Sequence, residues 1–495
     1  MQPSPTDRPA GPDPLAPYAP LLDPASRPAL AAAVARPLVP AIRLNTLKVA
    51  PADARAAWPA RSGWTVEPVP FCPTGWRVPA VDPQAAAVAP NDLSRTPEFK
   101  LGAYYLQDAA SMLPVELFPA PSSPLLALDL AAAPGGKTTH LSDRLGDRGL
   151  VVANDSSAAR IAPLRVNLQD WGAANVAVTN YLGELWGGWY PETFDWVLLD
   201  APCSGESLRT AERHRARPVS DRERQALQAQ QIRLLVSGFQ ALKPGGELVY
   251  ATCTLHPDED EAVLDALLAR YPAAAAIAAI DLVDAPALSA AGGHRFHPAV
   301  RRAVRLWPHL YDTSGFFAAR IRKIESVGRA SEPHPSRPLA QWNLRPCRPA
   351  EISALTRQLE QDYGFDLDQV LARQELTLWR RHDQWLALPE PFLAHFGDLP
   401  VISAGMLVAE EKGGELTPSH EFVSRFGRQF RHGRLVIPVD AAQGWLQGQE
   451  LRGRHGAGLP RRAVVLIEDD LGRPLGRGKL LDNRVRNLLP RRLCY

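Results

Sequence analysis

Two cysteines stand just past short apolar runs, Cys203 in "FDWVLLDAPCSGES" and Cys253 in "GELVYATCTLHPDEDE", and Asp200 precedes the first by three residues. A thiolate is a nucleophile, and a carboxyl group beside it can exchange a proton with a substrate. A buried cysteine is most often a small hydrophobe, so either one alone reads as filler. Two at neighbouring strand ends, facing one crevice with Asp200, point to thiol chemistry. A second stretch, "LDLAAAPGGKTT", comes close to the phosphate loop G-x-x-x-x-G-K-S/T: Gly136, Lys137 and Thr138 match, while Ala131 replaces the first glycine. With "FDWVLLD" resembling a strand whose aspartate holds magnesium, nucleotide hydrolysis has to be weighed. Magnesium takes oxygen ligands and has no use for two soft thiols, which removes the second support of that reading.

Such residues must be carried at strand ends. "LLALDL", "GLVVAND", "NVAVTN", "FDWVLLD" and "GELVYATC" are short Val, Leu and Ala runs separated by helical segments. That alternation predicts a parallel sheet covered on both faces, with ligands beyond the carboxyl ends of its strands. "SSAARIAPLRVNLQDWG" opens on a serine pair and ends at Gly172, "LKPGG" closes the helix before "ELVYATC", and "GFFAARIRK" supplies a last strand. Asp155 lies 20 positions past Gly135, the offset at which an acid binds ribose hydroxyls. This favours a nucleoside cofactor, and G-x-G-x-x-G is absent, so a nicotinamide or flavin dinucleotide fits less well.

Around this α/β core, "AIRLNTLKVA" and "GWTVEPVP" read as extended segments of a small α+β module, and "ASEPHPSRP" as a linker. A helical piece near "AEISALTRQLEQDYGFD" precedes a glycine-punctuated, β-rich tail of small-barrel type. The expected organisation is a flexible arm over 1–20, an N-terminal module over 21–97, the central domain over 98–326, a linker over 327–340, a helical or α+β module over 341–395 and a β-barrel domain over 396–495.

The 495 residues carry 55 basic and 53 acidic side chains, a net charge of +2. Seven of the basic residues are lysines and 48 are arginines, the residue that grips phosphate in a planar, bidentate manner. Ser424 to Tyr495 holds 15 basic against 6 acidic residues, and His294 to Ala330 holds 8 against 2. Two basic segments in a nearly neutral chain suggest a nucleic-acid partner. Five scattered cysteines without a C-x-x-C pair imply free thiols and no metal centre. No apolar run is long enough to span a bilayer, and the proline-rich N-terminus lacks a secretory pattern, so a cytoplasmic location is expected, with no membrane partner.

Together, "YYLQDAASMLP", "LDLAAAPGGKTTHL", "FDWVLLDAPCSGES", "LKPGGELVYATCTLHPDEDEAVL" and "RLWPHLYDTSGFFAARIRK" resemble the successive motifs of the RNA cytosine-5 methyltransferases, most closely the bacterial RsmF type. The resemblance covers roughly Arg36 to Lys323, and "GWLQGQEL" and "DNRVRNLLPRRL" extend it faintly into the tail. It implies a Rossmann-like methyltransferase sheet flanked by an RRM-like N-terminal module and a PUA-like C-terminal barrel. It also implies S-adenosyl-L-methionine as methyl donor, bound by Ala131, Ala132, Ala133, Pro134, Gly135, Gly136, Lys137, Asp155, Arg160 and Asp200. Composition does not choose between the two cysteines; the resemblance makes Cys253 the nucleophile and has Cys203 assist release. Asp200 then hydrogen-bonds the cytosine ring, and Lys137 steadies the turn or the base and lowers the thiol pKa. The family has an aspartate near the adenosyl group where this chain has Leu182, leaving Asn180 or main chain to take over. The implied partner is small-subunit ribosomal RNA, free or in an assembled subunit, met by a monomer and not DNA. A transfer-RNA methylase and a non-catalytic ribosome-assembly factor are the alternatives.

Overall fold

A computed structural model describes residues 15–79, 93–209, 219–453, 456, 458–460 and 463–494, so most of the expected N-terminal arm lies outside the described residues. Strands β1 (Ala41–Leu44), β2 (Glu67–Val69), β3 (Cys72–Arg77) and β4 (Tyr104–Leu106) form an antiparallel sheet in the order β2-β3-β1-β4. Helix Pro51–Ser62 covers it, ends at left-handed Gly63 and buries Trp58 against Ile42, Leu44, Trp76 and Tyr104. β4 lies beyond residue 97, so this module draws its last strand from what the sequence assigned to the central domain.

The central sheet is built on β5 (Leu126–Asp129), β6 (Leu150–Asn154), β7 (Val176–Thr179), β8 (Phe194–Asp200) and β9 (Leu242–Thr252), parallel in the order β7-β6-β5-β8-β9. β5 and β6 are buried at every position, as strands covered on both faces must be. Leu141, Leu164, Leu168 and Trp171 pack one face; Trp186, Leu235, Phe239 and Leu264 pack the other. The order reverses at β5, which makes a crevice between the ends of β5 and β8.

The five strands named in the sequence are parallel as expected, and beyond β9 the sheet continues with antiparallel strands. After β10 (Ala275–Ile277), a two-residue hairpin of β11 (Ala290–Ala291) and β12 (His294–Arg295), and β13 (Val304–Leu306), strand β14 (Phe316–Lys323) inserts antiparallel between β9 and β10, with β13 paired to it. "LKPGG" closes the helix before it, Leu242 capping helix Asp221–Ala241, and the same residues form the irregular start of β9, where the register with β8 shifts.

The C-terminal region divides differently from the expected boundary at 395/396. β15 (Leu344–Pro346), β16 (Leu376–Arg381), β17 (Gln384–Pro389), β19 (Met406–Lys412) and β20 (Glu415–Pro418) form one sheet that crosses it. The intervening β18 (Ser403–Ala404) leaves that sheet and adds antiparallel to the free edge of β7. A last sheet, in the order β21-β23-β24-β25-β22, uses β21 (Arg434–Ile437), β22 (Leu451–Arg452), β23 (Val464–Asp469), β24 (Pro474–Leu481) and β25 (Arg484–Asn487).

This region is bound to the rest of the chain. Lys48 Nζ donates to Leu101 O at 2.9 Å, Asp170 O at 2.6 Å and Ser424 Oγ at 2.7 Å, joining three parts of the molecule. Arg492 pairs with Asp170 at 2.6 Å and Arg473 with Glu98 at 2.8 Å. Many basic-tail arginines are therefore spent inside the protein. In the other basic segment Arg305 and Lys323 are fully buried, Arg305 against Glu261 and Lys323 on the carbonyls of Phe239 and Leu242, while Arg295, Arg301, Arg302 and Arg322 stay exposed.

Candidate active site

The turn after β5 is pinched from two sides. Gly135 has φ +108°, and a Cβ there would meet Leu164 Cδ1 at 3.0 Å; one on Gly136 would meet Tyr105 Cε1 at 3.2 Å. The positive φ favours glycine at 135, and at 136 a side chain would require the Tyr105 ring to give by a few tenths of an ångström. Thr138 Oγ1 donates to Asp129 Oδ2 at 2.7 Å, and Asn167 Nδ2 to Pro134 O at 2.7 Å. The N-terminal module contributes Arg43, fully buried, which donates to Gly136 O at 3.0 Å and Thr139 Oγ1 at 2.7 Å and lies over the Trp171 ring.

Asp155 is buried in this turn. Its Oδ2 accepts from Ala133 N at 3.1 Å and its Oδ1 from Ser157 N at 2.9 Å, while Arg160 pairs with the carboxylate at 3.5 Å and donates to Ala133 O. The residue expected at a ribose thus anchors the turn, with Arg160 over it. Beside them lies a cavity of about 250 Å³ lined by Ala131 to Pro134, Gly136, Lys137, Asp129 and Asp200, and on the other wall by Gln107 and Asp108, to which the sequence reading gave no role. Asp129 Oδ1 is buried without a partner, and burial pushes this carboxyl up to about 7. An unpaired acceptor and small residues on a bared turn suit the amino-acid end of a nucleoside-linked methionine.

At the other end of the crevice, Cys203 Sγ and Cys253 Sγ are 3.2 Å apart. Lys137 Nζ pairs with Asp200 Oδ2 at 2.6 Å and sits 5.5 Å over the Phe316 ring. The cysteines titrate as a pair. Hydrogen bonding to Cys253, with burial, pushes the Cys203 thiol well above its ordinary range. The bond from Cys203, helped by the Lys137 cation, lowers Cys253. Cys253 is the exposed member. A thiolate held there by one donor and one cation is the more nucleophilic of the two.

The sequence reading missed what holds the cysteines. The run Glu259, Asp260, Glu261 is fully buried, although a charge run ordinarily belongs on a solvated face. Glu259 Oε2 accepts from Ser204 N at 2.9 Å and Gln231 Nε2 at 3.0 Å; Glu259 Oε1 accepts from Arg224 NH1 at 3.2 Å. Thr252 Oγ1 donates to Asp260 Oδ1 at 2.6 Å, and Glu261 pairs with Arg305 at 2.6 Å. The only legible signal was that this acidic run follows the cysteine strand directly.

Leu182 is 58% exposed beyond β7 and supplies no polar group, while Asn180 Nδ2 is committed to Asp155 O at 2.7 Å. Of the other cysteines, Cys72 lies 3.3 Å from Glu116 Oε1, which also meets His140 Nε2 at 3.0 Å. This is the one group among the described residues whose types could hold a cation. Arg144 occupies the second Glu116 oxygen at 2.6 Å, and burial pushes Cys72 up to about 12 and His140 down to about 4, so the cluster is hydrogen-bonded packing behind the turn.

Comparison with known proteins agrees with this geometry. Residues 117–322 match the model of 16S rRNA methyltransferase RsmB/F, and residues 15–109 that of the N-terminal domain of 16S rRNA methyltransferase RsmF. The chain is 33% identical over 463 residues to ribosomal RNA small subunit methyltransferase F of Cronobacter sakazakii, covering 93% of this chain and 91% of that protein. It is 35% identical over 467 residues to the protein of the same name from Aeromonas hydrophila, covering 92% and 91%. Among solved structures, a methyltransferase homologue from Pyrococcus horikoshii is 33% identical with a TM-score of 0.52, covering 60% of this chain and 90% of its own.

Proposed function

The chain belongs to the RsmB/F family of 16S rRNA methyltransferases, and on that premise we propose that it transfers a methyl group from S-adenosyl-L-methionine to carbon 5 of a cytosine in small-subunit ribosomal RNA. The observation that carries the residue roles is the pair of thiols 3.2 Å apart beside the Lys137–Asp200 ion pair, at the ends of two neighbouring strands.

Carbon 5 of cytosine is too electron-poor to take a methyl group directly. We assign Cys253 as the thiolate that adds to carbon 6: the Sγ–carbon bond forms, and the double-bond electrons move toward carbon 5 and the ring nitrogen. Asp200, within reach of the same crevice and sharing a proton with the base, hydrogen-bonds that nitrogen through this proton as charge develops. Lys137 holds Asp200 in place and favours the Cys253 thiolate. The methyl donor, when bound, supplies an electrophilic carbon; Ala131 to Gly136 and Asp129 would hold its amino-acid end, with Asp155 and Arg160 shaping the turn beneath. The carbon 5 proton then passes to a base in the crevice, with Cys203 assisting; its electrons restore the ring double bond, the Sγ–carbon bond breaks and Cys253 leaves as the thiolate. The target base must be swung out of its stack, which favours a single-stranded or loosened segment.

In this reading the protein acts as a monomer in the cytoplasm, with arginines still exposed on the last sheet meeting phosphate. The test is transfer of a tritiated methyl group to ribosomal RNA, to assembled small subunits and to transfer RNA. Label in ribosomal RNA or subunits is the expected result. Label in transfer RNA alone would move the substrate class, and no label in any of them would leave a non-catalytic assembly factor.

A further inference from the structure

We propose that Glu259 is a positioning residue that sets the spacing of the two cysteines, and that the release step depends on it. Glu259 follows Cys253 by six residues, yet its carboxylate reaches across to the loop that carries Cys203. Ser204 N, next to Cys203, donates to Oε2 at 2.9 Å. Gln231 Nε2 donates to the same oxygen at 3.0 Å and also to Pro202 O at 2.9 Å, so one amide holds the residue before Cys203 and the carboxylate that holds the residue after it. Arg224 NH1 spans Glu259 Oε1 at 3.2 Å and Glu206 Oε2 at 2.8 Å, fastening the loop further on. Tyr250 on β9 donates to the Glu259 carbonyl, which ties the other end of the device to the strand leading to Cys253. Ser204 Oγ and Thr254 Oγ1, each adjacent to one of the cysteines, meet at 3.2 Å.

A fully buried carboxylate that satisfies three donors from two other segments costs desolvation, and what it obtains is a fixed loop. Residues 201–209, the described part of the Cys203 loop, have no regular secondary structure of their own to hold them. At Ser204, next to Cys203, it is this carboxylate, with the Ser204–Thr254 contact, that fixes the loop's place beside β9. Glutamine at 259 keeps the size but turns one of the two acceptor positions into a donor, facing either Arg224 or the pair formed by Ser204 N and Gln231.

The inference concerns the same site as the proposed function, and its test separates the two. Phenylarsine oxide bonds two thiols at once with loss of water, and so reports whether Cys203 and Cys253 are adjacent without reference to RNA. In a background with Cys72, Cys347 and Cys494 replaced by serine, the full-length protein should take up one equivalent by mass spectrometry. Glu259→Gln and Gln231→Met should weaken that uptake roughly tenfold while circular dichroism and donor binding stay unchanged. In turnover, both variants should slow methylation roughly 10- to 100-fold, the scale of about 1 Å of misplacement, and leave RNA covalently attached. Unchanged uptake of the arsenical in both variants overturns the proposal, and so does weakened uptake with normal turnover. If uptake weakens but neither these variants nor Cys203→Ala hold RNA covalently, the spacing role stands and the covalent release reading fails.

Discussion

Cys203 Sγ stands 3.2 Å from Cys253 Sγ, each at the end of a different parallel strand, and Cys253 is the more exposed of the two. Cys253→Ala should abolish both turnover and any covalent RNA product. Cys203→Ala should still add to the base but fail to let go, giving a protein–RNA band that survives denaturing electrophoresis. A trapped band in the Cys253 variant instead would reverse the two roles.

The Lys137 cation acts to lower the Cys253 thiol, after the bond from Cys203. The thiolate fraction rises with pH, so the rate should climb along an acidic limb set by this group. In Lys137→Met the part of the lowering that this cation supplies is lost, and that limb should move to higher pH. A pH–rate profile with an unmoved limb would show that Lys137 serves only to hold Asp200.

Gly135 combines φ +108° with a Leu164 methyl group 3.0 Å from where a Cβ would stand. Gly135→Ala should cost about 1–3 kcal/mol and distort the donor-binding turn. Calorimetry should show weaker S-adenosylmethionine binding together with a lower melting temperature. Normal binding would separate the turn from the cofactor.

Asp129, pushed up to about 7 by burial, holds its proton more tightly folded than unfolded. The folded state therefore loses stability as pH rises from about 4, the unfolded value, to about 7, and no more beyond it. Asp129→Asn should flatten the melting temperature between pH 5 and pH 8 and raise it at the upper end, while weakening donor binding. An unchanged slope would mean that other buried acids set it.

Deletion from Pro400 onward does not isolate RNA binding, because it removes the β18 edge strand and strips Lys48 and Asp170 of partners. Neutralising the exposed Arg484, Arg486 and Arg491 is the cleaner change. Affinity for ribosomal RNA should fall, and the slope of its logarithm against that of salt should flatten by about 0.7–0.9 per lost phosphate contact. Unchanged salt dependence would assign phosphate binding to other surfaces.

Local pattern was enough for much of this. Apolar runs spaced by helical segments, "AAAPGGKTT" after one run and a cysteine after each of two others are short-range features, and they determined the central sheet, its crevice and the residues at its mouth. Tertiary structure decided which distant groups became partners. Positions 203 and 253 are 50 residues apart, and no periodicity states that their sulfurs meet. Nothing local marks Glu259 to Glu261 as buried, because the arginines that make burial tolerable, Arg224 and Arg305, lie 35 and 44 residues away. A count of positive charge likewise cannot tell Arg492, spent on Asp170, from Arg491, left in solvent. Charge is a property of composition, whereas desolvation and pairing depend on which surfaces the fold presses together.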